Sequence, residues 1–412
     1  MVTPDPEPPT VTYRALFGVG EFRAIGAAHA LSILGDVVGA LAVTVLVFQQ
    51  TAAPLLAALA FSLVFLPHLL GGALVPVVMR FRPRPLAVVC NVVSAGLVGV
   101  LSLPGIPAWV LLAVMFVVGL LAPVSVGVRS AMLPDILGEG PLFVLGRGAI
   151  RLTSQSSMVV GNLLGGASLL FLTPQGALLA DALTFVAAAL LLRFGTRDRG
   201  WVGAPTPGDD RGLGTFREIW SYPPVRRLLL IGWLTPSFAI ASEALAAPYV
   251  AAVGRPEREL ALMLSASAAG MVVSDLAASR MLRPVAQRRL IAPGAVLLCA
   301  PLLLFVFSPP LPVAVGLMFL SGLGLAYNAG LDSLLAERTP SRLLPRTLAY
   351  QYVFLLGVQG AIAVGWGGLG ELVEPGAAIA MAGLAGVVVV SLLTFRVARP
   401  QRAPAAAGRE ST

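Results

Sequence analysis

The sequence predicts an all-α integral membrane protein, with twelve transmembrane helices arranged as two pseudo-symmetric six-helix bundles. Three observations support this fold class: the composition, the spacing of apolar runs and the distribution of arginines. Only 12% of the 412 residues are charged, and the mean hydropathy is +0.88. A soluble domain carries about 25% charged residues, so this composition places the chain in a lipid bilayer.

The apolar runs give the number of spans. A helix needs about 20 apolar residues to cross the hydrocarbon core of a membrane. Twelve runs of that kind are present, and several contain glycine or proline, which membrane helices tolerate. Their centres fall near Asp36, Pro67, Ala95, Gly119, Val160, Val186, Ala239, Gly270, Leu298, Ser321, Gln359 and Leu384.

The basic residues alternate between the connecting loops. All 28 are arginines, a bias that fits a GC-rich bacterial genome. The even-numbered loops are basic, and we expect the fourth to hold Arg129, Arg147 and Arg151. Only Arg255 and Arg258 lie on the other side, so 26 of the 28 arginines share one face once both tails are placed there. Because positively charged loops stay in the cytoplasm, we expect a bacterial cytoplasmic membrane protein with both termini inside.

The longest hydrophilic stretch divides the chain into two blocks of six spans. We expect a cytoplasmic tail over 1–24, a six-helix bundle over 25–194, a cytoplasmic linker over 195–227, a second bundle over 228–396 and a cytoplasmic tail over 397–412. The basic turn MRFRPRPL follows span two, and SRMLRPVAQRRL follows span eight at the matching place. This echo favours two related halves.

Three stretches of the sequence carry family motifs. They are FRAIGAAHALSILGDVVGALAVTVLVFQQT in span one, MLPDILGEGPLFVLGRGAIRLTSQSSMVVGNLLGGASLLF with ALLADALTFVAAALLL around spans four to six, and GLGLAYNAGLDSLLAERTPSRLLPRTLA near spans ten and eleven. Over roughly residues 14–396 the chain resembles the major facilitator superfamily, and within it the bacterial branch of drug, macrolide and siderophore exporters. The resemblance implies alternating access and the proton-coupled export of a small lipophilic or drug-like compound by a single chain.

Some positions depart from the family pattern. Between spans two and three, Met79 stands where the family has aspartate and Val75 near its glycine, while in span five Asn162 replaces a proline. The small residues of span five are kept, and we expect them to allow close helix packing: Gly161, Gly165 and Gly166.

Asp36 is the main candidate for proton coupling. An ionisable group at mid-membrane is costly and usually faces a cavity or a partner. His29 and Ser32 lie seven and four residues earlier on the same helix face, and His29 is a candidate proton relay. Glu243 in span seven is the second candidate acid. For Asp36 the alternative is a structural polar stripe satisfied by neighbouring helices, and for Glu243 it is a structural role.

Other polar and aromatic positions are candidates for substrate contact or gating. The expected substrate-cavity residues are Ser32, Trp233, Tyr327, Asn328, Tyr352 and Gln359. Such a mainly apolar cavity suits a lipophilic compound. The expected gate or latch residues are Arg80, Arg84, Asp275, Arg280, Asp332 and Arg346. Asp181 is expected to be structural.

The sequence contains no motif for catalysis or cofactor binding. It has no phosphate-binding loop and no metal-ligand spacing, so we expect no enzyme activity, cofactor, metal or nucleic-acid partner. The expected partners are a small-molecule substrate, protons and the lipid bilayer. Two alternatives stay open: an importer or facilitator of a metabolite, and a non-transporting protein such as a sensor or a lipid scramblase.

Overall fold

The computed structural model describes residues 12–63, 65–67, 81–138, 141–199, 212–256, 259–281, 284–340 and 342–397. Every regular element in these ranges is a helix. The N-terminal half contains α1 (Tyr13–Gly18), α2 (Gly20–Thr51), α3 (Pro54–Ser62), α4 (Pro83–Leu101), α5 (Ala108–Ala131), α6 (Leu133–Leu137), α7 (Pro141–Phe171) and α8 (Pro174–Gly195). The rest contains α9 (Gly212–Trp220), α10 (Pro223–Ala239), α11 (Ala241–Ala244), α12 (Ala246–Ala252), α13 (Leu260–Met281), α14 (Pro284–Arg289), α15 (Ile291–Cys299), α16 (Leu311–Leu323), α17 (Tyr327–Arg338), α18 (Leu344–Leu369) and α19 (Pro375–Val397).

The helices match the predicted spans. Among the described residues, eight helical segments are long and apolar enough to cross a membrane, and a pair bent by 42°, Pro223–Ala244 with Ala246–Ala252, makes up to nine. Eleven of the twelve predicted centres lie in helices, and the twelfth, Pro67, lies in a turn directly before 68–80, which fall outside the described ranges. The prediction of an all-α membrane fold is confirmed, and twelve spans are consistent with these helices.

Helix starts explain where the structure differs from the predicted boundaries. α2 already begins at Gly20, before the boundary at 25. α10 begins at Pro223, before the boundary at 228, since proline is favoured in the first turn, where its missing N–H costs nothing. A short helix, α9, lies inside the predicted linker.

The arginines mark one end of the bundle, which we call the arginine-rich end. In the N-terminal half, Arg199 binds Glu21 at 2.6 and 2.8 Å, and this hydrogen bond raises the pKa of Arg199 above its usual value. In the C-terminal half, Arg342 binds Glu218 of α9 at 2.5 Å, which raises the pKa of Arg342 in the same way. Each pair joins elements of a single half.

The linker helix α9 is anchored to the C-terminal half by aromatic packing as well. Phe216 stacks on Phe354 with ring centroids 5.1 Å apart, and Trp220 stacks on Trp233 at 6.0 Å. Stacked aromatic pairs of this kind contribute beyond their buried area. α9 is therefore part of the C-terminal half rather than a free tether.

Within the described ranges, apolar side chains form three cores, and one of these is shared between the halves. The first combines the last turns of α2, from Leu41 to Phe48, with α12, α13 and α18 of the other half. The second lies within the C-terminal half around Trp233 and Tyr327. The third lies within the N-terminal half around Phe22 and Ile25, near the start of α2. The halves thus pack together at the end opposite the arginines, which we call the arginine-poor end.

Two seams of close backbone contact hold the halves together there. In the first, Glu371 accepts a hydrogen bond from the Leu55 N–H at 2.9 Å, and a Cβ on Gly367 would lie 3.2 Å from the carbonyl oxygen of Pro54. In the second, Ser265 of α13 donates to the Leu163 carbonyl of α7 at 3.4 Å. Glycine is required at such positions because the backbones approach too closely for a side chain.

Candidate functional site

Asp36 lies near the middle of α2, beside a small polar cavity within the N-terminal half. The cavity has room for about one or two water molecules. Its walls come from α2, α4, α5 and α8. The polar or charged side chains among those that line it are Ser32, Asp36, Asn91, Ser94, Ser125 and Arg129.

Arg129 supplies the charge that opposes Asp36. Both residues line the cavity, and their opposite charges attract across it. Arg129 is only 3% exposed and donates from Nη1 to Ser32 Oγ at 2.9 Å. A buried charge is tolerated when it has an opposite charge and hydrogen bonds around it, so Asp36, Arg129 and Ser32 form one charged unit.

The expectation that Arg129 lies in a basic loop is wrong. α5 continues to Ala131 and carries Arg129 in its last turn, buried against α2. The apolar run ends close to this residue, and an arginine at such a point is read from the sequence as part of the next loop. Arg147 fits better, since its side chain is exposed in α7.

Asn91 of α4 extends the unit across the cavity, and sequence reasoning did not select it. Its Oδ1 accepts from Ser32 Oγ at 3.2 Å, and its Nδ2 donates to Ser125 Oγ at 3.3 Å. The polar chain therefore links α2, α4 and α5. A lone asparagine in an apolar run is the one sequence signal that pointed to it.

His29 is buried about one helical turn before Ser32 and has a different hydrogen-bond partner. Its Nε2 is hydrogen-bonded to Ser154 Oγ of α7 at 2.6 Å, while Nδ1 has no partner among the described residues. The imidazole thus joins α2 to α7, and it does not line the cavity beside Asp36.

Glu243 lies in α11, at the bend between α10 and α12. Its Oε1 accepts from Ser267 Oγ of α13 at 3.3 Å. The residue as a whole is half-buried, and its short helix packs against α18 and α19 of the C-terminal half and against α3 of the N-terminal half. Asp36 and Glu243 therefore occupy separate sites, one in each half.

The predicted substrate-contact residues have different environments. Trp233 is 5% exposed and donates from Nε1 to the Gln351 carbonyl at 3.0 Å. Tyr327 is fully buried against α15, Asn328 is half-buried and Gln359 is buried. Tyr352 is 51% exposed, and its hydroxyl lies within electrostatic reach of Asp36. Among these five, Tyr352 is the residue whose hydroxyl interacts electrostatically with Asp36.

The predicted gate residues fall mainly at the arginine-rich end. Arg84 donates to the carbonyl oxygen of Arg193, and Arg346 donates to Thr215 Oγ at 2.9 Å. Asp275 is exposed in α13, and Asp332 is half-buried in α17. Arg80, Met79, Val75 and the side chain of Arg280 lie outside the described residues.

The glycines of span five lie at two helix contacts. A Cβ on Gly161 would lie 3.1 Å from Val37 Cβ, and one on Gly165 would lie 2.8 Å from Leu41 Cδ1, both on α2. Gly166 faces α13 of the other half, where a Cβ would lie 2.7 Å from the Ala261 carbonyl oxygen. The predicted glycine stretch therefore borders both the charged helix and the second seam.

Comparison with known proteins gives a likeness of fold. No protein-family model matches the chain, and no curated protein matches it. The nucleoside transporter NupG superposes with a TM-score of 0.67 at 12% identity, covering 92% of this chain and 100% of that one. A POT family transporter in complex with 5-aminolevulinic acid gives 0.68 at 11% identity, covering 92% and 97%.

A further similar structure is the inward open form of the xylose transporter XylE from E. coli. Its TM-score is 0.64 at 12% identity, with 94% of this chain and 97% of that chain covered. At such low identity the likeness concerns the fold alone. The chain has the fold of the major facilitator transporters.

Proposed function

We propose that this chain is a secondary active transporter of the major facilitator type, and that it exports a small lipophilic or drug-like compound in exchange for protons. The observation that carries the proposal is the charged unit of Asp36 and Arg129 beside a polar cavity inside the membrane. A fold that only scaffolds the bilayer gains nothing from burying two opposite charges, since apolar side chains of similar volume do as well or better.

The packing of the two halves supports alternating access. They share an apolar core and two seams at the arginine-poor end, while at the arginine-rich end each half has its own core and its own ion pairs. By the positive-inside rule the arginine-rich end is assigned to the cytoplasm. The described arrangement then corresponds to a state closed toward the outside.

The charged unit supplies a route for proton coupling. Binding a proton to Asp36 removes the negative charge that attracts Arg129, and Arg129 in turn donates to Ser32 of α2. A proton drives a conformational change only by binding one state better than the other. Tyr352 of the C-terminal half lies within electrostatic range of Asp36, so a movement of the halves would change the electrostatic surroundings of Asp36.

A proteoliposome experiment tests this function. The purified chain is reconstituted, a pH gradient is imposed, and uptake of the lipophilic cation ethidium is followed together with internal pH. We expect gradient-driven uptake in the native chain and its loss in Asp36→Asn. Asp198→Asn, which alters an ion pair on the surface, is the matched control. Equal transport by Asp36→Asn and the native chain would remove Asp36 from the coupling.

An importer or facilitator of a metabolite is the second candidate. The similar structures include a nucleoside transporter and a xylose transporter, so the fold also suits polar substrates. Accumulation of a labelled metabolite in cells that express the chain, with no ethidium efflux, would favour this candidate. A cysteine scan with the same accessibility from both sides under all conditions would favour a non-transporting sensor or scramblase.

A further inference from the structure

Asp181 is a second buried carboxylate close to Asp36, on the helix α8 that packs against α2. It lies in α8 and is 2% exposed. Its carboxylate rests against α2 at Gly35 and Gly39, where a Cβ on either glycine would collide with it. The two glycines flank Asp36 in the sequence, so the two carboxylates occupy neighbouring faces of one helix.

The carboxylate of Asp181 is incompletely satisfied. Its Oδ1 has no hydrogen-bond partner among the described residues. The hydroxyl of Thr184, one turn further along α8, donates to the Asp181 main-chain oxygen at 2.7 Å. A structural aspartate in a membrane helix normally has its oxygens bonded to neighbouring donors, whereas the donor beside this carboxylate, the Thr184 hydroxyl, also serves the main-chain oxygen.

The charges around Asp181 do not balance. On α2 the neighbouring charge is Asp36, which repels Asp181, and the nearby cation is Arg129 of α5, which attracts Asp36. α4 contributes the Cys90 thiol at the cavity, and α18 contributes the Tyr352 hydroxyl near Asp36. Two carboxylates therefore face one guanidinium in a low-dielectric region, where an uncompensated charge is expensive.

We infer that Asp181 is a second proton-binding residue that shares one proton with Asp36. One bound proton leaves a single carboxylate opposite Arg129, and the charges then balance. In a transfer step the O–H bond on one carboxyl breaks, the proton forms an O–H bond on the other, and the electron pair stays on the first oxygen. No oxidant or reductant is involved, and cavity water exchanges the proton through Asp36.

The absence of side chains at Gly35 and Gly39 explains how Asp181 comes close to Asp36. With side chains at both positions, α8 would stand further from α2 and Asp181 would be held away from Asp36. Asp181 does not line the cavity, whereas Asp36 does. The pair thus has one member in contact with the cavity and one behind it, which keeps the proton while the cavity changes its access. This inference rests on the proposed function.

Infrared difference spectroscopy tests the pair directly. The full chain in lipid is titrated with acid, and the carbonyl band of protonated carboxylic acids is compared in the native protein, Asp181→Asn, Asp36→Asn and the control Asp198→Asn. We expect Asp181→Asn to reduce the band and to move the pH midpoint of the remaining signal by at least about one unit, because coupled groups titrate jointly. The control should match the native protein.

Two outcomes would overturn the inference. An unchanged band in Asp181→Asn would mean that Asp181 never carries the proton. A reduced band with an unchanged midpoint for Asp36 would mean that the two groups titrate independently. If Asp181→Asn does not fold, Asp36→Asn decides, since the band that remains must then titrate differently from the native one.

The spectra also separate this inference from the proposed function. They need neither substrate nor a gradient, so they remain informative if no transport is found. Loss of coupling in Asp36→Asn together with native spectra in Asp181→Asn would leave the transporter standing and remove only the pair.

Discussion

Arg129 of α5 donates to Ser32 Oγ of α2 at 2.9 Å, and this bond joins the two helices one turn before Asp36. Asp36 is the one acid of α2 after its first turn. The same serine also donates to the Ala28 carbonyl and to Asn91. The charged unit is thus held by α2, α4 and α5, and we expect the stability of the protein to depend on it.

Replacing Arg129 by glutamine should destabilise the protein strongly. Asp36 would lose its opposing charge, and breaking a buried pair from one side costs about 3–5 kcal/mol. The double variant Asp36→Asn/Arg129→Gln should recover most of this loss, since neither charge is then left alone. Thermal unfolding in detergent measures both. Additive losses in the double variant would show that the two side chains do not interact.

Replacing Gly39 by alanine should destabilise the packing of α2 on α8. The added methyl group would overlap the Asp181 carboxylate, and overpacking of this kind costs about 1–3 kcal/mol. Gly39→Ala/Asp181→Ala should restore the unfolding temperature, because the colliding group is then absent. Gly127→Ala is the control, since open space surrounds that position. A failure of the double variant to recover would contradict the close contact between α2 and α8.

Replacing Gly367 by valine should open the first seam. Its side chain would press on Leu55 and the carbonyl of Pro54, at a cost of about 1–3 kcal/mol to the closed arrangement. That cost corresponds to a change of about 5- to 150-fold in the equilibrium between closed and open arrangements. The readout is maleimide labelling of a cysteine introduced at Ser265 in the second seam, with native Cys90 and Cys299 buried.

The neighbouring glycine provides the control for the seam. A Cβ on Gly368 would meet only Leu55 Cδ1, at 3.8 Å, so Gly368→Val should leave the labelling of the Ser265 position unchanged. Equal labelling in both variants, whether high or low, would show that the seam does not limit access from the arginine-poor end.

Replacing Phe216 by alanine should weaken the attachment of α9. The ring stacks on Phe354 and meets the edge of Tyr350 at 5.4 Å, and losing such contacts costs about 1–3 kcal/mol. Limited proteolysis of the intact chain near residue 215 should become faster. Glu218→Gln, which removes an exposed ion pair, is the control and should change little. Similar proteolysis of all three proteins would argue against anchoring.

The sequence was sufficient for the fold class because length and hydropathy act locally. Each predicted span centre depends only on some 20 neighbouring residues, and the alternation of arginines depends on the membrane rather than on packing. Gly161, Gly165 and Gly166 were also visible as a local motif, although the helices they touch were not.

The site was less accessible to sequence reasoning because it is built from distant residues. Ser32 and Asn91 are brought together across 59 positions, and Arg129 and Ser32 across 97. Periodicity cannot show which of two adjacent residues faces a particular neighbouring helix. The sequence placed Arg129 in a loop because hydropathy falls at the charge itself, whereas the helix continues to Ala131.

The one-sided shared core has a mechanical consequence. α2 is 32 residues long, so at about 1.5 Å per residue it measures roughly 48 Å. Its last turns are held in the core that the two halves share. A tilt of about 10° there would carry the opposite tip through about 8 Å. Under the proposed alternating access, Ångström-scale adjustments between Leu55 and Gly367 would therefore be enlarged to several Å at the other end of α2.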